Sequence, residues 1–142
     1  METTNPTIDR LEDQIAWYDA KSGSNQFWFR ALKIIEIVIA ASIPFLAGFD
    51  APHVLTGIAG VVIVVLEGLQ HLFQFQQNWT TYRSTCESLK HEKYLWLGKA
   101  GPYLNIENPN AVLADRAESL ISQEHAKWIA GQNKDTGAQE RR

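Results

Sequence analysis

Two carboxylates stand where carboxylates are rare. Glu36 lies in the apolar run from Ala31 to Phe49, and Glu67 in the run from His53 to Phe73. The runs are separated by Asp50-Ala51-Pro52. Counted outward from that break, the two acids lie at similar distances, so an antiparallel hairpin sets them at nearly the same depth. A carboxylate inside an apolar layer is costly, and it usually faces a bundle interior or a water-filled cavity. Rings of such groups attract cations and exclude anions. At the headgroup boundary the cost fades, and both acids would then be ordinary surface groups. Beyond Glu67 a polar stripe continues through Gln70, Gln74, Gln77 and Thr81. Glu67, Glu36, Gln70 and Gln74 are the candidates for an ion pathway.

The other reactive residue types form no set. His53, His71, His91 and His125 lack the His-Glu-x-x-His spacing of a helical metal site. Glu87, Glu92, Glu118 and Glu124 could meet across helices as a carboxylate metal site, but the Glu-x-x-His element of such sites is missing. Ion pairs with Arg83, Lys90 and Lys93 are the simpler reading. No Gly-rich phosphate loop or nucleophile elbow occurs. A lone cysteine, Cys86, excludes an intramolecular disulfide and a Cys-based metal cluster. The expectation is a protein that is not an enzyme, with no cofactor and no metal. A net charge of −3 without any Lys/Arg-rich block gives no sign of nucleic-acid binding.

The elements that position the acids follow from hydropathy. As helices of about 19 residues, the two runs each span roughly 28 Å, close to a hydrocarbon core of ~30 Å. A buried hairpin in a soluble protein is the alternative, because the charge-free stretches Ile37 to Phe49 and Val54 to Leu66 are short enough for core helices. Three features favour a membrane. Both runs are apolar all round, the break sits where an external turn should be, and the rest of the chain is too polar to wrap them. In the second run Gly57, Gly60, Val64 and Glu67 share one side, and Leu55, Ile58, Val62, Val65 and Leu69 another. Small residues permit close helix approach, so the Gly57/Gly60 side is expected to meet protein and the other side lipid. Pro44 removes the donor to the Ala40 carbonyl, which calls for a kink or a polar partner.

Flanking helices complete the plan. Asn5-Pro6 reads as an N-cap and first helical residue, followed by Ile8, Leu11, Ile15 and Tyr18 at helical spacing to about Lys21. Ser22-Gly23-Ser24-Asn25 marks a break or bend. Phe27, Trp28 and Phe29 beside Arg30 suit a membrane-water interface. No Pro, and no Gly after Gly68, interrupts the chain before Gly98. The second span is therefore expected to continue from Pro52 to Gly98 as one helix of about 47 residues, roughly 70 Å long. Asn108-Pro109 repeats the N-terminal start signal, and a last helix to about Ala130 shows an apolar face of Leu113, Ala117, Leu120, Ile121 and Trp128, with Glu124 intruding. Residues 131–142 read as a disordered polar tail, leaving residues 1–130 as a single domain.

Orientation follows the basic residues. Lys21, Arg30 and Lys33 precede or open the first span, Arg83, Lys90, Lys93 and Lys99 follow the second, and the turn has none. Both termini are thus expected in the cytosol. The polar start, Met1 to Pro6, has no signal-peptide core, so the first helix should insert uncleaved. The expected fold class is an all-α membrane protein. A two-helix transmembrane hairpin occupies about residues 31–49 and 53–73, and its second helix extends into a cytosolic bundle with the N- and C-terminal helices.

These residues also carry a pattern. Trp17-Tyr18-Asp19-x-Lys21, Leu32-Lys33 and Ile43-Pro44 precede Trp79-x-x-Tyr82-Arg83-x-Thr85-Cys86-Glu87-x-Leu89-Lys90-x-Glu92, with Glu118, Glu124 and Trp128 closing it. From about Ile8 to Trp128 the chain resembles a bacterial family of two-transmembrane proteins of unknown function related to SLATT effector domains. The resemblance implies a pore-forming effector of bacterial defence in the cell membrane, triggered by a separate sensor protein. Read physically, Trp79, Tyr82, Arg83, Glu87 and Glu92 are structural residues that hold the cytosolic helices together. A homo-oligomeric pore, cation-preferring through Glu67 and Glu36, is the leading functional expectation, because one hairpin cannot enclose a water-filled path. Its competitor is a non-conducting membrane-anchored scaffold whose cytosolic helices bind a partner.

Overall fold

A computed structural model describes residues 5–49 and 52–139, with the backbone alone at 128 and 131–139. The described residues are helical, with no strand among them. Helix α1 runs Pro6–Gly48, α2 His53–Phe73, α3 Phe75–Leu97 and α4 Pro109–Gln139, with a 3-10 turn at Gly101–Tyr103 between the last two. Asp50 and Ala51, the expected turn, lie outside the described residues.

Both start signals act as caps. The Asn5 side chain accepts from the Thr7 amide at 3.2 Å, and the Asn108 side chain accepts from the Ala111 amide at 3.2 Å. Each satisfies a donor that the first helical turn leaves unpaired, and Pro at the first position has none to satisfy.

Three boundaries differ from the sequence reading. The helix does not break at Ser22 to Asn25, because α1 runs through them. Asn25 turns its amide onto the Lys21 carbonyl at 2.8 Å, and so bonds along the helix instead of capping a break. The long second helix is not continuous: Gln74 takes a left-handed φ of 48° between α2 and α3. Asn78 supports this break by donating its side-chain amide to the Phe73 carbonyl at 3.1 Å. The rings of Phe73 and Phe75 stack across it at 5.4 Å. Finally, α4 continues to Gln139, past the expected end near Ala130, and no proline after Pro109 stops it.

The chain divides into two compact units. The first comprises residues 1–20 and 81–142, the second residues 21–80. The first has a core of Leu11, Tyr18, Cys86, Leu89, Tyr103, Leu113 and Ala117. Ile8, Ile15, Leu120 and Ile121 pack around that core. This is the 3.6-residue periodicity of α1 and α4 turned inward, worth about 1.5–3 kcal/mol for each large side chain fully removed from water.

The second unit is the hairpin, and it has no buried apolar side chain among its described residues. Its half-buried residues include one seam per helix: Leu32, Glu36, Ile39, Ile43 and Leu46 on α1, and Thr56, Ala59, Ile63 and Leu66 on α2 with Gly60 beside them, where Gln70 is buried. Alternating steps of three and four are the seam of two helices packed along their length. Most of the remaining surface of both helices is apolar and exposed, including Ile34, Val38, Phe45, Val61, Val64 and Leu72. Two helices are thus long and apolar enough to cross a membrane, and their apolar windows are 0% and 6% buried. A hairpin that served as the core of this chain would be mostly buried.

Candidate functional site

The hairpin seam brings the predicted acids together on one lysine. Lys33 Nζ donates to Glu36 Oε2 at 3.0 Å and to Glu67 Oε2 at 2.9 Å. Gln70 Nε2 donates to the same Glu36 oxygen at 2.9 Å. The positions follow from the seam. Glu36 and Gln70 lie in it, while Lys33 and Glu67 flank it one turn away. Accordingly the Glu36 side chain is 15% exposed, Lys33 39% and Glu67 59%. One ammonium between two carboxylates leaves a net charge of about −1 at the cluster, since Lys and Glu keep opposite single charges when paired.

Gln74 sits at the backbone break between α2 and α3. Gly57, Val64 and Glu67 are exposed in the single chain, and Gly60 is half-buried. A Cβ at Gly57 or Gly60 would meet nothing within 4 Å. The half-buried stripe on α2 runs through Thr56, Ala59, Ile63 and Leu66, with Gly60 beside it and Gly57, Val64 and Glu67 outside it. Two helices alone can cover only one seam, and it is chosen by the Glu36–Gln70 and Lys33–Glu67 bonds. The Gly57 side remains open within the chain.

The signature residues divide between the units. In the hairpin unit, the Arg30 guanidinium lies 5.8 Å from the centre of the Trp79 ring, in cation–π range. In the other unit, Tyr82 stands edge-on to Trp17 at 5.9 Å. Arg83 bonds Asp19 at 3.2 Å and Glu87 at 2.7 Å, all three half-exposed. Glu92 is the buried member, with its side chain 7% exposed. It receives both forks of Arg116, Nε on Oε2 at 2.8 Å and an Nη on Oε1 at 2.6 Å, and the Tyr103 hydroxyl at 2.8 Å. The Arg116 bonds hold the Glu92 carboxyl below the usual carboxylate range, with Tyr103 helping and burial opposing. Burial and the Glu92 charge push the Tyr103 phenol up. A second buried acid, Glu124, accepts from the Tyr18 hydroxyl at 3.2 Å. Cys86 is fully buried, and burial raises its thiol pKa, so it is a packing residue.

Arg116 and Tyr103 are partners that sequence reading did not name, and Lys33 is one that it named only for orientation and family pattern. Lys33 and Glu36 carried a signal, being an i,i+3 pair inside an apolar run. Arg116 and Tyr103 carried none, because their partner lies on another element. Among the described residues no group of three or more His, Cys, Asp or Glu is set to hold a metal ion.

The model of a protein family of unknown function (DUF4231) matches residues 13–111. The chain belongs to that family. The match contains the whole hairpin cluster and Glu92, and ends before Arg116. Neither the curated proteins nor the solved structures give a match.

Proposed function

We propose that this DUF4231 protein is a homo-oligomeric membrane protein that forms a cation-preferring pore in the bacterial inner membrane, with both termini in the cytosol. The observation that carries the reading is Glu67. It is a charged residue, 59% exposed, on a hairpin whose outer surface is mostly apolar. Charges at membrane depth face protein or water, not lipid. Glu67 and the open Gly57 side of α2 therefore turn toward neighbouring copies around a wet axis. Each copy contributes a net charge of about −1 there, and a ring of such charges favours cations. The resemblance to SLATT-type effector domains supports a role in bacterial defence, with opening triggered by a separate sensor protein. No catalytic step, cofactor or nucleic-acid partner enters this reading.

Reversal potentials in planar bilayers under a salt gradient test it. Wild type should pass cations in preference to anions. Glu67→Gln leaves Lys33 paired with Glu36 and the cluster neutral, so the preference should fall toward none with assembly intact. Conduction with unchanged selectivity in Glu67→Gln would remove the ring. Purified oligomers that carry no current under any trigger would favour the scaffold instead. That second reading has its own observation, a groove of about 540 Å³ lined by Pro6, Arg10, Leu11, Gln14, Leu113 and Glu118.

A further inference from the structure

Lys33 spends its charge on two acids, but another cation of the hairpin unit faces outward without one. Arg30 is exposed on α1. Among the described residues no carboxylate lies within ion-pair distance of it. Its guanidinium instead lies 5.8 Å from the centre of the ring of half-buried Trp79. An indole face attracts the charge, yet the guanidinium carries donors in a fork that matches phosphate oxygens two at a time. The place along the hairpin fits a headgroup. Arg30 precedes Gly48 by about 18 residues, roughly 27 Å of helix, and Phe73 follows His53 by about 20, roughly 30 Å. Both lengths match a hydrocarbon core of ~30 Å. Exposed rings gather at that level, with Phe27 and Trp28 on α1 and Phe73 on α2. From Arg30 toward the turn, Ile34, Ile37 and Ala41 follow on the same face at steps of four, three and four, all exposed. A cation at the rim above an apolar track has the order of a lipid, phosphate first and acyl chain below. A zwitterionic headgroup brings its own ammonium, whereas a net-anionic one needs the charge that Arg30 offers.

We propose that Arg30, backed by Trp79, binds the phosphodiester of an anionic phospholipid whose acyl chain lies along Ile34, Ile37 and Ala41. The inference rests on the membrane placement of the hairpin in the pore reading, and not on conduction. The lipid then ties α1 to the first turns of α3, because Trp79 backs the guanidinium that the phosphate engages.

Thermal unfolding of the purified full chain in neutral detergent, followed by helical circular dichroism, tests this without any current. Phosphatidylglycerol, phosphatidylcholine of the same acyl chains, or inorganic phosphate is added at equal concentration. Wild type should melt roughly 2–5 °C higher in phosphatidylglycerol than in phosphatidylcholine, as expected for a ligand that binds only the folded state. Inorganic phosphate should give no gain. The gain should vanish in Arg30→Gln and persist in Lys99→Gln, which removes the same charge at an exposed position of the other unit. Arg30→Lys keeps the charge without the fork, and should lose at least half of the gain. Equal gains from the two lipids, a gain from phosphate alone, a gain that survives Arg30→Gln, or one lost equally in Lys99→Gln overturns the proposal. If Arg30→Gln does not fold, Arg30→Lys decides, and an undiminished gain there overturns it. A phosphatidylglycerol gain that depends on Arg30, without current in bilayers, would keep the lipid site and remove the pore. Current without that gain would do the reverse.

Discussion

The two units of this chain solve opposite burial problems. In the unit of residues 1–20 and 81–142, Leu11, Leu89 and Leu113 are buried and charges such as Arg10, Glu118 and Arg83 are outside. In the hairpin unit, Ile34, Val38, Phe45 and Val64 are outside, while the fully buried positions are the polar Ser22 and Gln70. The first arrangement suits water, where removing apolar surface drives folding. The second lacks a buried apolar core among its described residues, and its helices meet along a narrow, mostly apolar seam with hydrogen bonds at the Glu36–Gln70 end. It is the arrangement that a lipid surrounding would call for, since lipid tails are as apolar as Leu and helices there associate by packing and polar contacts.

The largest effect should come from the water-adapted core. Leu113 is 0% exposed and belongs to the core cluster of buried side chains. Leu113→Ala should cost about 2–5 kcal/mol, the sum of lost transfer energy and the cavity left behind. Urea or guanidinium unfolding, followed by tryptophan fluorescence in detergent, reads this directly. A loss below about 1 kcal/mol would mean that the unit lacks the tight core its burial indicates.

Next comes a substitution that separates the two solvents. Val38 is 63% exposed on the hairpin. In water, Val38→Asp would be nearly neutral, as exposed changes usually are. At the centre of a membrane span an Asp costs about 2.5–3.5 kcal/mol. The expected result is loss of the protein from the alkali-resistant membrane fraction, while Leu113→Ala stays in it. Equal membrane retention of Val38→Asp and wild type would break the comparison between the units.

How much of this was legible in the sequence depended on the range of the interaction. Helix starts at Asn5-Pro6 and Asn108-Pro109 are local chemistry and are placed as read. Apolar faces such as Leu11/Tyr18 and Leu113/Ala117 follow one period and form the core. The Gln74 break was not legible, because it has neither Gly nor Pro and draws on Asn78 four residues later. Glu36 and Glu67 stood out as charges in apolar runs, but their common partner Lys33 read only as an orientation signal. The choice of seam was hidden for the same reason. Glycine content ranks faces by closeness of approach, while the hairpin uses the face that pairs Gln70 with Glu36. Cross-element partners such as Arg116 leave no periodic trace at all.

The smallest expected effect belongs to the buried acid of the water-adapted unit, and its pH dependence is the sharper readout. Arg116→Ala would leave Glu92, 7% exposed, with only Tyr103 for company. Breaking a fully buried pair costs about 3–5 kcal/mol, and the half-exposed Arg116 reduces that to on the order of 2 kcal/mol. Because the folded state holds the Glu92 carboxyl below its ordinary value, its contribution is present above about pH 4.3 and is lost as pH falls through the folded value. Glu92→Gln has no such titration, so the stability gap between it and wild type should be constant near neutrality and close below about pH 4. Tyr103 works from the other side. Its raised phenol pKa gives stability that is full below about pH 10 and declines above it, and Tyr103→Phe should flatten part of that alkaline fall. Tyr18, raised by burial and by Glu124, supplies another part, so the flattening should be incomplete. A stability gap that stayed constant down to pH 3 would show that Glu92 titrates as a surface acid. The water-adapted unit would then owe its stability to Leu113 and its neighbours alone.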